Sequence, residues 1–109
     1  MSAVTSELRE DGIRVITMNA PPVNALTVQQ WFDVAAALDL ASADLETKVV
    51  ILRAEGKGYN AGVDIKEMQN TTGFDALIGA NKGCYAAFKA VYECSVPVIA
   101  AVNGFCVGG

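Results

Sequence analysis

The chain has 109 residues, about one ordinary domain, and 52% of them are apolar, enough to build a core. Its net charge is −4, and its eight Lys and Arg residues are spread out without a cluster, which argues against a nucleic-acid surface. A small polyanionic ligand stays open, because backbone N–H groups and a few lysines can hold a phosphate without net positive charge.

The N-terminal residues Met1–Glu7 lack a basic region followed by an apolar stretch, so no signal peptide is expected. A weak first strand is read around Val4 to Leu8, turning at Gly12 into Ile13–Met18, where apolar and polar side chains alternate as in a half-buried strand. Asn19–Leu26 contains Pro21 and Pro22, which remove donors and force extended geometry, so it is read as a stiff loop. Thr27 can cap the helix that follows, in which Trp31, Val34, Ala35 and Leu38 recur on one apolar face. After a polar connection over Ser42–Lys48, the β-branched run Val49–Leu52 suits a strand buried on both sides.

That strand leads into a glycine turn from Gly56 to Gly62. Asp64 is placed to cap a short helix carrying Ile65 and Met68, and Thr71–Gly73 is read as a loop. Asp75–Glu93 reads as a longer helix with Leu77, Ala80, Cys84, Phe88 and Val91 on its apolar side. Val98–Val102 is the third strong strand, too short and too close to Pro97 to be a membrane span, and it runs into a second glycine turn. The order predicts an α/β fold with right-handed crossovers and largely parallel pairing, and 1–109 shows no domain linker, being read as part of one, incomplete domain. Ligands of such sheets collect at the carboxyl ends of the strands, where both glycine turns lie. A turn of this kind can aim free backbone N–H groups at a negative atom, and two such donors converging make an oxyanion hole.

Cys84, Cys94 and Cys106 form no C-x-x-C pair and are read as reduced core or near-core residues. With no histidine in the chain, a zinc site would have only Cys and carboxylates to draw on, so no metal is expected. A cytosolic location follows from these features. Trp31, Tyr59 and Phe105 are assigned to the core, Glu67 to a solvated surface, and Arg53 and Lys57 to surface charge. Lys66 is the lysine best placed to meet a phosphate.

Ala61–Met68 and Pro97–Phe105 resemble the two signature blocks of the crotonase family, the enoyl-CoA hydratase/isomerase group, and Pro22–Leu26 resembles a third block near the N-terminus. The blocks come in the family's order and spacing and cover nearly the whole chain. The resemblance implies a crotonase-like β-β-α spiral and acyl-CoA substrates. It also implies trimers or dimers of trimers, and no cofactor beyond the coenzyme A of the substrate. It places two backbone donors to the thioester oxygen at Val63 and Gly109, and puts Ala25, Ala61 and Ile65, with Lys66 beside them, along the substrate path. Asn60 stands where the family often has Ser or Ala, and Val63 where it often has Ala, which narrows the space beside the thioester. The catalytic Glu positions of family hydratases fall beyond Gly109, and a family subunit is much longer, so the chain is expected to be the N-terminal part of one.

Tyr59-Asn60, Gly83-Cys84 and Val91–Cys94 resemble one branch, actinobacterial crotonase-like hydrolases that open a ring of a CoA-linked steroid fragment. Ring-opening hydrolysis is therefore the leading expectation. Enoyl-CoA hydration or isomerisation is the alternative, and an inactive CoA-thioester-binding or oligomer-assembly module is a third.

Overall fold

The computed structural model describes residues 2–71 and 73–109. Strands β1 (Val4–Leu8) and β2 (Ile13–Met18) form an antiparallel hairpin across a short 3-10 turn at Glu10–Gly12. Helix α1 (Val28–Ala43) then crosses to β4 (Val49–Ala54), and helix α3 (Asp75–Glu93) crosses to β7 (Val98–Ala100). The main sheet has the order β1-β2-β4-β7, with β2, β4 and β7 parallel, as the strand–helix–strand order predicts. Between the crossovers lie β3 (Ala25–Leu26), β5 (Gly58–Asn60), β6 (Gly62–Val63) and the short helix α2 (Ile65–Gln69), and β8 (Phe105–Cys106) follows β7.

The core sits between the main sheet and α1. Ile16, Leu26, Leu38 and Val50 are fully enclosed there, with Trp31 and Val34 beside them. Thr27 starts α1 as expected: its hydroxyl accepts from Gln30 N (3.2 Å) while Gln30 Oε1 accepts from Thr27 N (2.9 Å), a reciprocal capping box. At the far end Arg14 meets Asp44 at 2.6 Å, and Thr47 donates to the same carboxylate oxygen. Arg14, helped by the Glu46 amide and the Thr47 hydroxyl, holds the Asp44 carboxyl below its ordinary range.

Several expectations need correction. Ala25 and Leu26 close the proline loop as a strand, pairing in parallel with Gly62 and Val63. The glycine stretch 56–62 is likewise mostly strand, because β5 and β6 find partners far away in sequence. Strand β4 is not buried on both sides: only Val50 and Ala54 are enclosed.

The expected apolar face of α3 is rotated. Its buried seam is Ala76, Ala80, Gly83, Ala87 and Ala90, while Leu77 and Phe88 are 56% and 50% exposed. Close approach to α1 is the cause. A methyl group on Gly83 would lie 3.1 Å from Trp31 Cβ and 3.2 Å from the Val28 carbonyl, so only small residues fit the seam. Phe88 still reaches the edge of the Trp31 ring, centroid to centroid 6.0 Å at 78°. Cys84 and Cys94 are half-buried, but Cys106 is exposed and is no core residue. The loop expected over 71–73 includes residue 72, which lies outside the described residues. No helix among the described residues is long and apolar enough to cross a membrane.

Candidate active site

The carboxyl ends of β4 and β7 carry the loops that build the site. Asn24 holds the first of them. It is 3% exposed, at φ 58°, a left-handed conformation that Asn tolerates better than most residues. Its Oδ1 accepts from Ala20 N (2.7 Å), and its Nδ2 donates to the carbonyls of Glu55 (2.7 Å) and Gly58 (2.8 Å). The proline loop is thereby fastened to the turn between β4 and β5. Asn103 fastens the second loop to the same turn, donating from Nδ2 to the Gly56 carbonyl at 3.0 Å.

With these loops fixed, a cavity of 360 Å³ opens beside β3 and β6. Its lining includes Ala25, Ala61, Val63, Ile65 and Lys66, together with Pro21, Pro22 and Asp64. Five of the six residues singled out in the sequence therefore share one cavity. Asp64 caps α2 as expected, accepting at Oδ1 from Lys66 N (2.9 Å) and Glu67 N (3.4 Å). Ile65 is largely exposed at the cavity mouth and Lys66 is exposed beside it. Arg53 is paired with Glu55 (2.8 Å), in keeping with a surface role.

Asp64 N donates to Leu26 O at 2.9 Å. Successive amides of a parallel strand point to opposite sides, so the intervening Val63 N–H faces away from β3. Among the described residues β6 pairs with β3 alone.

Gly109 does not line this cavity. It borders a second, apolar one of 110 Å³ with Trp31, Tyr59, Phe88 and Cys106. The two regions adjoin through the residues just before Val63 and Gly109: a methyl group on Gly62 would stand 3.3 Å from Gly108 Cα. Tyr59 is buried, as expected, and its phenol is pushed up to about 12, mainly by burial and to a smaller extent by its electrostatic interaction with Cys106. It is an un-ionised phenol at neutral pH and no base.

Sequence reasoning missed Asn24, Asn103 and Glu67. Glu67 is not simply solvated: its Oε1 accepts from Val28 N at 2.8 Å, tying α2 to the first turn of α1. Asn24 had a signal, since an Asn following a proline pair is suited to positive φ. Nothing local marks the other two, whose partners lie 39 and 47 residues away.

The profile of the enoyl-CoA hydratase/isomerase family matches residues 8–109. The chain belongs to that family. Its fold is the crotonase-like one: an enoyl-CoA hydratase/carnithine racemase from Magnetospirillum magneticum superposes with a TM-score of 0.88 at 34% identity, covering 99% of this chain and 41% of that one. The chain is also similar to a (7aS)-7a-methyl-1,5-dioxo-2,3,5,6,7,7a-hexahydro-1H-indene-carboxyl-CoA hydrolase of Mycobacterium tuberculosis, with 65% identity over 97% of this chain and 43% of the relative. A hydrolase of the same name from Rhodococcus jostii is 59% identical over 97% of this chain and 41% of the relative. The chain thus spans about two fifths of the length of these relatives.

Proposed function

We propose that this crotonase-family chain belongs to an acyl-CoA-processing enzyme that opens a ring of a CoA-linked bicyclic ketone by C–C hydrolysis. The observation that carries this reading is the 65% identity to a hydrolase of that substrate class, against at most 36% to the probable enoyl-CoA hydratases it also resembles. In the reaction, water adds its hydroxide to a ring carbonyl, and the bond to the neighbouring carbon breaks. The electron pair leaves into an enolate, which later takes up a proton, while the attacked carbon becomes a carboxylate.

The backbone N–H groups of Val63 and Gly109 are the proposed donors to the enolate oxygen. Their fixed dipoles would stabilise charge as it develops, each contributing about 3 kcal/mol at the transition state. Two features support Val63 in this role: it lines the larger cavity, and its amide is turned away from β3. Ala25, Ala61 and Ile65 would pack along the thioester, and Lys66 at the cavity mouth would meet a coenzyme A phosphate. The protein would need no cofactor beyond the coenzyme A of its substrate and would act as a cytoplasmic trimer or dimer of trimers.

The test is to incubate the full-length protein with the indene-carboxyl-CoA ketone and, separately, with a 2-trans-enoyl-CoA. Mass spectrometry should show gain of one water and a new carboxylate with the first, and little turnover of the second. Fast hydration of the enoyl-CoA without ring opening would instead make the protein a hydratase. Binding of both without turnover would make it a CoA-thioester-binding module.

A further inference from the structure

We infer that Asn60 is a positioning residue that sets the two glycine turns, and with them the two backbone donors, in register. The inference rests on the donor assignment above and goes beyond it, because Asn60 supplies neither donor. Asn60 is 5% exposed, and a polar side chain so enclosed needs partners. Its Oδ1 accepts from the Gly62 amide at 2.7 Å, closing a side-chain turn over the residue before Val63. Its main-chain carbonyl accepts from Val107 N at 3.0 Å, two residues before Gly109. One residue thus bonds to both turns.

Its place in the fold reinforces this. Asn60 pairs with Cys106 in the β5–β8 ladder, and the side-chain oxygen stands 3.3 Å from where a methyl group on Gly109 would sit. The remaining side-chain polar group, Nδ2, donates weakly to Met18 Sδ at 3.8 Å. The strong bond is the one to Gly62, so the acceptor oxygen is the functional part of the side chain. Without it, the Gly62 amide loses its side-chain acceptor, and the Val63 peptide that follows is held from the β3 side alone.

The experiment uses the full-length protein and hexanoyl-CoA carrying 13C at the thioester carbonyl, a saturated probe that cannot be hydrated. Infrared difference spectra read the carbonyl stretch on binding, and kcat and KM are measured with the ring-ketone substrate. Asn60→Ser keeps an oxygen that can accept from the amide two residues on, Asn60→Ala removes it, and Asn60→Cys replaces it with a poor acceptor of similar shape. We expect a lowered carbonyl frequency in the wild type and the Ser variant. In the Ala and Cys variants it should return toward the solution value, with kcat down about tenfold or more and KM changed by less than about threefold.

If the Ala variant does not fold, the Cys variant carries the comparison. Full frequency lowering and near-normal kcat in the Ala or Cys variant would overturn the inference, as would a Ser variant as impaired as Ala. A wild type that leaves the carbonyl at its solution frequency would overturn the donor assignment itself.

Discussion

Gly62 and Gly108 meet backbone to backbone: a methyl group on Gly108 would lie 3.0 Å from Gly62 Cα. Both have positive φ, 89° and 70°. Here glycine is required twice over, by conformation and by contact. Gly108→Ala should therefore cost about 1 kcal/mol or more in stability, measured by urea unfolding, and should also separate the two turns and depress turnover. Unchanged stability with unchanged kcat would mean that the contact is not tight in solution.

Asn24 satisfies three backbone groups at once. Asn24→Ala would leave the Ala20 amide and the Glu55 and Gly58 carbonyls without that partner and put Ala at positive φ. A loss of about 3 kcal/mol is expected from unsatisfied groups alone. Asn24→Asp should not restore stability, since a carboxylate would face two carbonyl oxygens. Equilibrium unfolding of both variants checks this.

The N-terminus of α1 is closed by Thr27 and by Glu67 of the neighbouring helix. Thr27→Ala should cost about 1 kcal/mol. Glu67→Ala should cost a similar amount, about 1 kcal/mol, while Glu67→Gln keeps an acceptor for Val28 N and should cost less. Thermal unfolding of the three variants separates capping from charge.

Asp44 gives a pH prediction. Its carboxyl lies below the ordinary 3.8 in the folded protein because Arg14 and its other partners favour the charged form. Its contribution is fully present above 3.8 and is lost as pH falls through the lower folded value. Acid titration of Tm should therefore show wild type above Asp44→Asn near neutral pH, with the two curves converging at low pH. Added salt should narrow the gap, because the pair is near the surface.

The long elements were legible because each announces itself over enough residues. β2 is six residues rich in apolar and β-branched side chains, α1 repeats its apolar positions every three to four residues, and Thr27 marks where it starts. β3, β6 and β8 are two residues each, too short for any periodicity, and exist only through partners distant in the chain. The face of α3 was misread for a different reason. Hydropathy favours Leu77 and Phe88 as core, whereas the tight contact of Gly83 with Trp31 and the Val28 carbonyl admits only small residues. The cavity-lining residues followed from motif resemblance, while Asn103 and Glu67, which tie the loops and helices near that cavity, act through long-range bonds that no local pattern encodes.

The most direct test of the central claim compares Val63→Ala with Val63→Pro in the full-length protein. Alanine keeps the backbone N–H and proline deletes it. Val63→Ala should turn over substrate within about threefold of wild type, and Val63→Pro, provided it retains a cooperative unfolding transition, should fall at least about tenfold below it. Equal activity in two folded variants would contradict the assignment of Val63 as a donor.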